Sequence, residues 1–208
     1  EDGSQLFTVH PMWDISLARV ARRLRAGRPG RPPLPEQVVR AVSKRTLATL
    51  AAIRAVHSPL AHQLAASLTP EHVVLMRGAG GPTLATVALL AAHAYACGGD
   101  TNAATPLPLA VARLAAALAC GTATHNDDAE LESAAAHLSP EAAAFLADAK
   151  RLSVEEALAH PWLADAAADG VIDLDMLRQQ RATDQPDGMV GAANRADTSG
   201  PSSADEQT

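Results

Sequence analysis

The fold turns on "PTLATVALLAAHAYAC", residues 82–97. It follows the glycine-rich "RGAGG" (77–81) and stops at Gly98-Gly99-Asp100. It is shorter than the roughly 18–20 apolar residues that cross a bilayer, is rich in alanine and contains His93. It therefore reads as a buried core helix. The rest of the chain points the same way. Of 208 residues 47 are alanine, while aromatics make up 2%. Alanine is the best helix former, and the β-branched and aromatic residues that favour strands are sparse. The expectation is an all-α fold, an Ala/Leu-rich helical bundle with an irregular C-terminal extension. Each alanine buries little area, so modest stability and help from partners are expected.

Working outward, a first helix is expected from Pro11 through "MWDISLARVARRLRA". Trp13, Leu17, Val20 and Leu24 lie on one face, with the arginines opposite. Proline and glycine in "GRPGRPPLP" (27–35) end it. "EQVVRAVSKRTLATLAAIRAVH" (36–57) predicts a long helix buried through Val39, Val42, Leu47, Leu50 and Ile53. "SPLAHQLAASL" (58–68) and "TPEHVVLM" (69–76) each begin with Ser or Thr followed by Pro, a helix start signal. Beyond 82–97, "LPLAVARLAAALAC" (107–120), "SPEAAAFLADAKRL" (139–152), "SVEEALAHPWL" (153–163) and "DLDMLRQQRA" (173–182) read as further helices. The domain division is a basic N-terminal helix with its Pro/Gly linker (1–34), a helical bundle (35–182) and a polar extension (183–208) with the composition of a disordered tail.

Charge is unevenly spread. Residues 1–54 carry ten Lys or Arg against four acids, a balance of +6 on a chain whose net charge is −6. Such polarity suits an acidic surface, RNA or anionic lipid at the basic end, and Arg19, Arg22, Arg23 and Arg25 are the candidate anion- or partner-binding residues. A solvated helix face accounts for them equally well. Cys97 and Cys120 are too few for a disulfide framework and read as small apolar residues of a reducing compartment. The chain begins at Glu1 without an initiator Met, which suits a processed or trimmed product; a mitochondrial matrix or membrane-associated location is the expectation, with an intracellular soluble one as the alternative.

Several motifs suggest chemistry. Gly78, Gly80 and Gly81 ahead of an apolar segment evoke a dinucleotide-binding turn, but Thr83 stands for the third glycine and no second strand follows. The same order fits another pattern better. Gly80-Gly81 opens an apolar helix, Gly98-Gly99-Asp100 closes it, and a second apolar helix leads to His125, Asp127 and Asp128. With "VHSPLAHQLAASL" upstream, residues 55–132 resemble trans-isoprenyl diphosphate synthases, most of all the non-catalytic subunit of heteromeric polyprenyl synthases. That resemblance implies a truncated isoprenyl synthase bundle, with Mg²⁺ and diphosphate at the aspartate-rich motif. The chain departs from it in two places. Arg77, before the glycine pair, is the only cation near it and the remaining anion-binding candidate, and Leu131 occupies the position of the motif's last aspartate, leaving Glu132 as a displaced partner of Asp128. Asp127, Asp128 and Glu132 are thus relic candidates, no functional metal site is expected, and Asn126 or Asp127 serves as a helix cap.

"AKRLSVEEALAHPWL" (149–163) resembles the closing segment of a protein kinase catalytic domain. The chain has no HRD or DFG triplet and no kinase glycine loop, so phosphoryl transfer lacks its parts. Ser153 with Glu156 forms a capping box, and Trp162 reads as a core anchor. "DAAADGVIDLD" (165–175) echoes a calcium loop, but Ala167 and Met176 stand where ligands belong, and a turn between helices is expected. The eight histidines show no metal-ligand spacing, and no catalytic nucleophile stands out.

These observations lead to a non-catalytic accessory or structural subunit of a larger protein assembly, without a cofactor or a transmembrane segment. The alternatives are a regulatory partner of a polyprenyl diphosphate synthase in quinone side-chain synthesis, which would keep a Mg²⁺ contact, and an RNA-binding helical protein.

Overall fold

The computed structural model describes residues 15–25, 33–77, 84–89, 105–121, 128–166 and 171–173. In chain order the elements are β1 (Ile15–Ser16), α1 (Leu17–Arg25), α2 (Glu36–Val56), α3 (Ser58–Ala66), β2 (Val73–Arg77), β3 (Leu84–Leu89), α4 (Leu107–Cys120), α5 (Asp128–Ala135), α6 (Pro140–Asp148), α7 (Val154–Ala159), α8 (Pro161–Ala164) and β4 (Val171–Asp173). The described chain is mostly helical, as its alanine content predicts, and a small sheet is set beside the helices. None of the described helices is long and apolar enough to cross a membrane.

The sheet corrects two expected helices. "TPEHVVLM" is a turn over Thr69–His72 followed by β2, and the first half of the decisive stretch is β3. The strands run in the order β1-β2-β3-β4 and every neighbouring pair is antiparallel. Val73 lies opposite Leu89 and Arg77 opposite Ala85, so β2 and β3 form one hairpin around the Gly/Pro-rich 78–83. A short apolar run cannot be assigned by periodicity, because a buried strand and a buried helical turn look alike in sequence. Here Val73, Val74 and Leu75 are all buried, which takes the alternation out of the pattern. The remainder of 82–97 lies outside the described residues. So do Trp13, Cys97, most of "DLDMLRQQRA" and the 183–208 extension. Val171–Asp173, expected in a turn between helices, pairs instead with Leu84–Thr86 as an edge strand.

Among the helices the expectations hold more closely. α1 begins at Leu17 rather than Pro11, after the two residues of β1. Leu17 is buried, Val20 and Leu24 pack against the core, and the arginines face out. α2 buries Val38, Val39, Val42, Leu47 and Leu50, with Ile53 at the margin. At the start of α3 the cap is His57 rather than the expected Ser58: the His57 Nδ1 accepts the Leu60 N–H at 3.0 Å.

α4 sits at the centre. Twelve of its residues, from Leu107 to Ala119 with the exception of Arg113, are buried, and α1, α2, α3, α5 and α6 pack around it. A helix apolar all the way round can only be a core element. Its alanines let those neighbours approach closely. The helix stops at Gly121, whose φ of 65° is left-handed and whose carbonyl accepts from Arg25 Nη1 at 2.8 Å. A Cβ added there would lie 3.0 Å from Pro33 Cγ and 3.1 Å from Arg25 Cδ. Gly121→Ala is therefore expected to cost about 1–2 kcal/mol from backbone strain alone, visible as a lower melting temperature; an unchanged melting curve would contradict the strain.

Candidate functional site

Among the described residues three places gather polar side chains. The first is the start of α2. Glu36 Oε1 accepts the Ser139 hydroxyl at 2.6 Å and the Trp162 indole N–H at 2.9 Å, and Oε2 accepts the Ser139 backbone N–H at 2.8 Å. Arg40 Nη2 lies 3.5 Å from Oε1, one helical turn on. Burial pushes this carboxyl up, but the hydrogen bonds from Ser139, Trp162 and Arg40 outweigh it, and the net effect holds Glu36 below the usual carboxylate range. One carboxylate thus joins α2, the cap of α6 and the indole on α8.

Residues 149–163 fold around this junction. Ser139 caps α6 by accepting from Ala142 N. The expected capping box of α7 is present: Ser153 N donates to Glu156 Oε2 at 2.8 Å, and Glu156 N donates to Ser153 Oγ at 3.1 Å. These Ser153 contacts lower the Glu156 carboxyl. Trp162 is 1% exposed, and its ring lies 5.1 Å from that of Phe145, which also meets His160 edge-on at 5.4 Å. Lys44 Nζ donates to the carbonyls of Ala166 at 2.7 Å and Ala164 at 3.2 Å, tying α2 to the end of α8. Trp162 is the core anchor its sequence predicts.

The second place is the loop 67–72, between α3 and β2. Ser67 Oγ donates to Gln63 O at 3.1 Å. His72 Nδ1 is 2.6 Å from Ser67 O and 3.2 Å from Thr69 Oγ1. A carbonyl only accepts, so Nδ1 is the nitrogen that carries the proton. Beside the loop lies a cavity of about 140 Å³, lined by Ala65, Ala66, Ser67, Leu68, Thr69, Ala110 and Arg113.

The third is the outer face of α1, where Arg19, Arg22, Arg23 and Arg25 are all exposed. Arg22 Nε donates to Ala18 O at 3.3 Å, and Arg25 to Gly121 O as above. The fifth anion-binding candidate, Arg77, is the last residue of β2; its side chain is outside the described ones.

The acidic cluster 125–132 is only partly described. Asp127 and His125 lie outside the described residues, Asp128 opens α5, and Glu132 is exposed on it. Leu131, in the position of the missing aspartate, is 8% exposed and belongs to the core. A carboxylate there would be buried among α4, α6 and their apolar side chains. Among the described residues no group of three His, Cys, Asp or Glu side chains converges as metal ligands.

Sequence reasoning missed Glu36 and Lys44. Apart from Arg40, one turn on from Glu36, their partners are more than a hundred positions away, and no spacing rule connects them. The one available signal was Glu36 itself, an acid in the first turn of a helix, which has a sufficient local explanation. Compared with known proteins, the chain matches no family model and no curated protein.

Proposed function

We propose that the chain is a non-catalytic accessory subunit of a larger protein assembly, built on the helical lobe of a protein kinase from which the chemistry has been removed. The observation that carries this reading is the loop 67–72. In kinases the catalytic loop reads H-R-D-L-x-x-x-N, with the Asp as base and the Asn on metal. Aligned on Leu68, this chain has Ala65-Ala66-Ser67-Leu68-Thr69-Pro70-Glu71-His72. The loop leaves one helix and enters an antiparallel hairpin, and farther along the chain the "AHPWL" segment closes the domain, in the same order as in that family. Ser67 and His72 stand in the two carboxylate and amide positions. His72 is engaged with the Ser67 carbonyl and the Thr69 hydroxyl, so the group in the Asn position holds the loop's own shape.

The isoprenyl synthase resemblance draws less support. It relies on an unbroken helix after Gly80-Gly81, where β3 runs over Leu84–Leu89.

Two measurements test the proposal together. Incubation with radiolabelled ATP and Mg²⁺ is expected to give neither autophosphorylation nor transfer to a generic protein substrate; phosphate incorporation lost on Ser67→Ala would overturn the non-catalytic half. In native extracts the protein is expected to elute with a complex well above its own 21.5 kDa. Elution as a monomer would overturn the accessory-subunit half.

A further inference from the structure

We propose that the outer face of α1 binds the phosphate backbone of a nucleic acid, a property that stands apart from the kinase-like reading. Between Asp14 and Glu36 the chain holds six arginines (19, 22, 23, 25, 28 and 31), no lysine and no carboxylate. Helix α1 gives the first of them a geometry. Arg19, Arg22 and Arg23 stand at i, i+3 and i+4, hence on one face, and all three are exposed. The opposite face is spent on the fold: Leu17, Ala18 and Ala21 are buried.

Among the described residues no carboxylate is paired with this face; Glu71, next to the Pro70 carbonyl that accepts from Ala18 N, lies by the start of the helix. The elements that make the main contacts with α1 are β1, β2 and α4, and their only charged residues are Arg77 and Arg113. Among the described residues the ion pairs are Arg40–Glu36 and Arg54–Glu155, and neither involves α1. The hydrogen bonds of Arg22 and Arg25 go to backbone carbonyls, which leave a full positive charge in place. A cationic ridge therefore stands on a chain whose net charge is −6.

The chemistry of the ridge selects its partner. A lipid surface would call for apolar side chains to insert, and those of α1 are in the core. Arginine is common at protein interfaces too, but there it accompanies aromatic or apolar anchors, and every exposed residue of α1 is an arginine. Arginine without lysine suits the phosphate group, whose oxygens it engages through two parallel N–H donors. Phosphate contacts of this kind bind without reading bases, so sequence preference is not part of the expectation.

The test uses the full chain and the anisotropy of two fluorescein-labelled probes, an oligouridine strand and a mixed-sequence DNA duplex, over a salt series. Binding that weakens with salt is expected for at least one probe, and comparison of the two tells RNA from DNA as the source of the phosphates. The triple variant R19Q/R22Q/R23Q should lower the slope of log K against log salt by about 2–3, close to one per arginine. R19K/R22K/R23K should keep the slope, and circular dichroism should show both variants folded. Absence of binding to either probe at low salt would overturn the proposal, as would a slope untouched by the glutamine variant. Polyglutamate that displaces the strand as readily as unlabelled RNA would assign the face to an acidic protein instead. Arginine-dependent sedimentation with phosphatidylserine vesicles, without nucleic-acid binding, would assign it to a membrane.

Discussion

Trp162→Ala is expected to remove about 3–5 kcal/mol of stability, the usual cost of deleting a buried indole. On a chain of this size that is a fall of roughly 6–20 °C in melting temperature, read by circular dichroism at neutral pH. Two losses combine. The ring is 1% exposed and stacks at a tilt on Phe145, so its removal leaves a cavity that the short helices α6, α7 and α8 cannot all collapse to fill. The indole N–H also leaves Glu36, which loses one of its donors. Trp162→Phe separates the two terms. It keeps most of the ring and drops the hydrogen bond, so a loss of only about 1 kcal/mol is expected. If Trp162→Ala melts within a degree or two of the parent, the segment is not the anchor of the domain.

Glu36→Ala follows with an expected loss of about 2–3 kcal/mol, because it strands the Ser139 N–H, the Ser139 hydroxyl and the Trp162 N–H together. The side chain is 25% exposed, and water reaching the junction keeps the figure below the sum of three fully buried bonds. The same carboxylate makes stability depend on pH. Its titration is depressed in the folded chain, so the folded state holds fewer protons than the unfolded one in the window between the two values. The stabilisation is complete above the ordinary carboxylate range and is lost as pH falls through the folded value. Melting temperatures taken from neutral pH down to about pH 3 should fall less steeply for Glu36→Gln than for the parent. Parallel curves would remove Glu36 as the source of the acid sensitivity.

How much of this was legible beforehand depends on the range over which each signal acts. Ser139 and Ser153 were recognisable as caps because a cap oxygen and the N–H that donates to it sit within three residues of each other. The buried face of α2 and the split between apolar and arginine sides of α1 follow from a helical period, and both are present. The candidate sites were legible more unevenly. The arginines of α1 are where the charge pattern puts them, and Leu131 shows its unsuitability as a ligand position by being in the core. Glu36 could not be singled out, since its role is defined by Ser139 and Trp162, 103 and 126 positions later. His57 took the cap of α3 from Ser58 for a local reason that propensity ranks poorly, an imidazole nitrogen in reach of Leu60 N.

By itself the sequence determined a mostly helical protein, from its alanine and leucine content, but it placed the buried core helix at 82–97, where β3 runs, while the central buried helix is 107–120. It also determined the caps at Ser139 and Ser153 and which end of the chain would be basic. The tertiary structure alone decided that Val73–Arg77 and Leu84–Leu89 are strands. A strand satisfies its backbone groups on another strand, so its stability resides in a partner that local propensity does not register. β2 has β1 and β3 on either side of it, and β3 has β4, and those pairings outweigh the helical preference of the alanines between them.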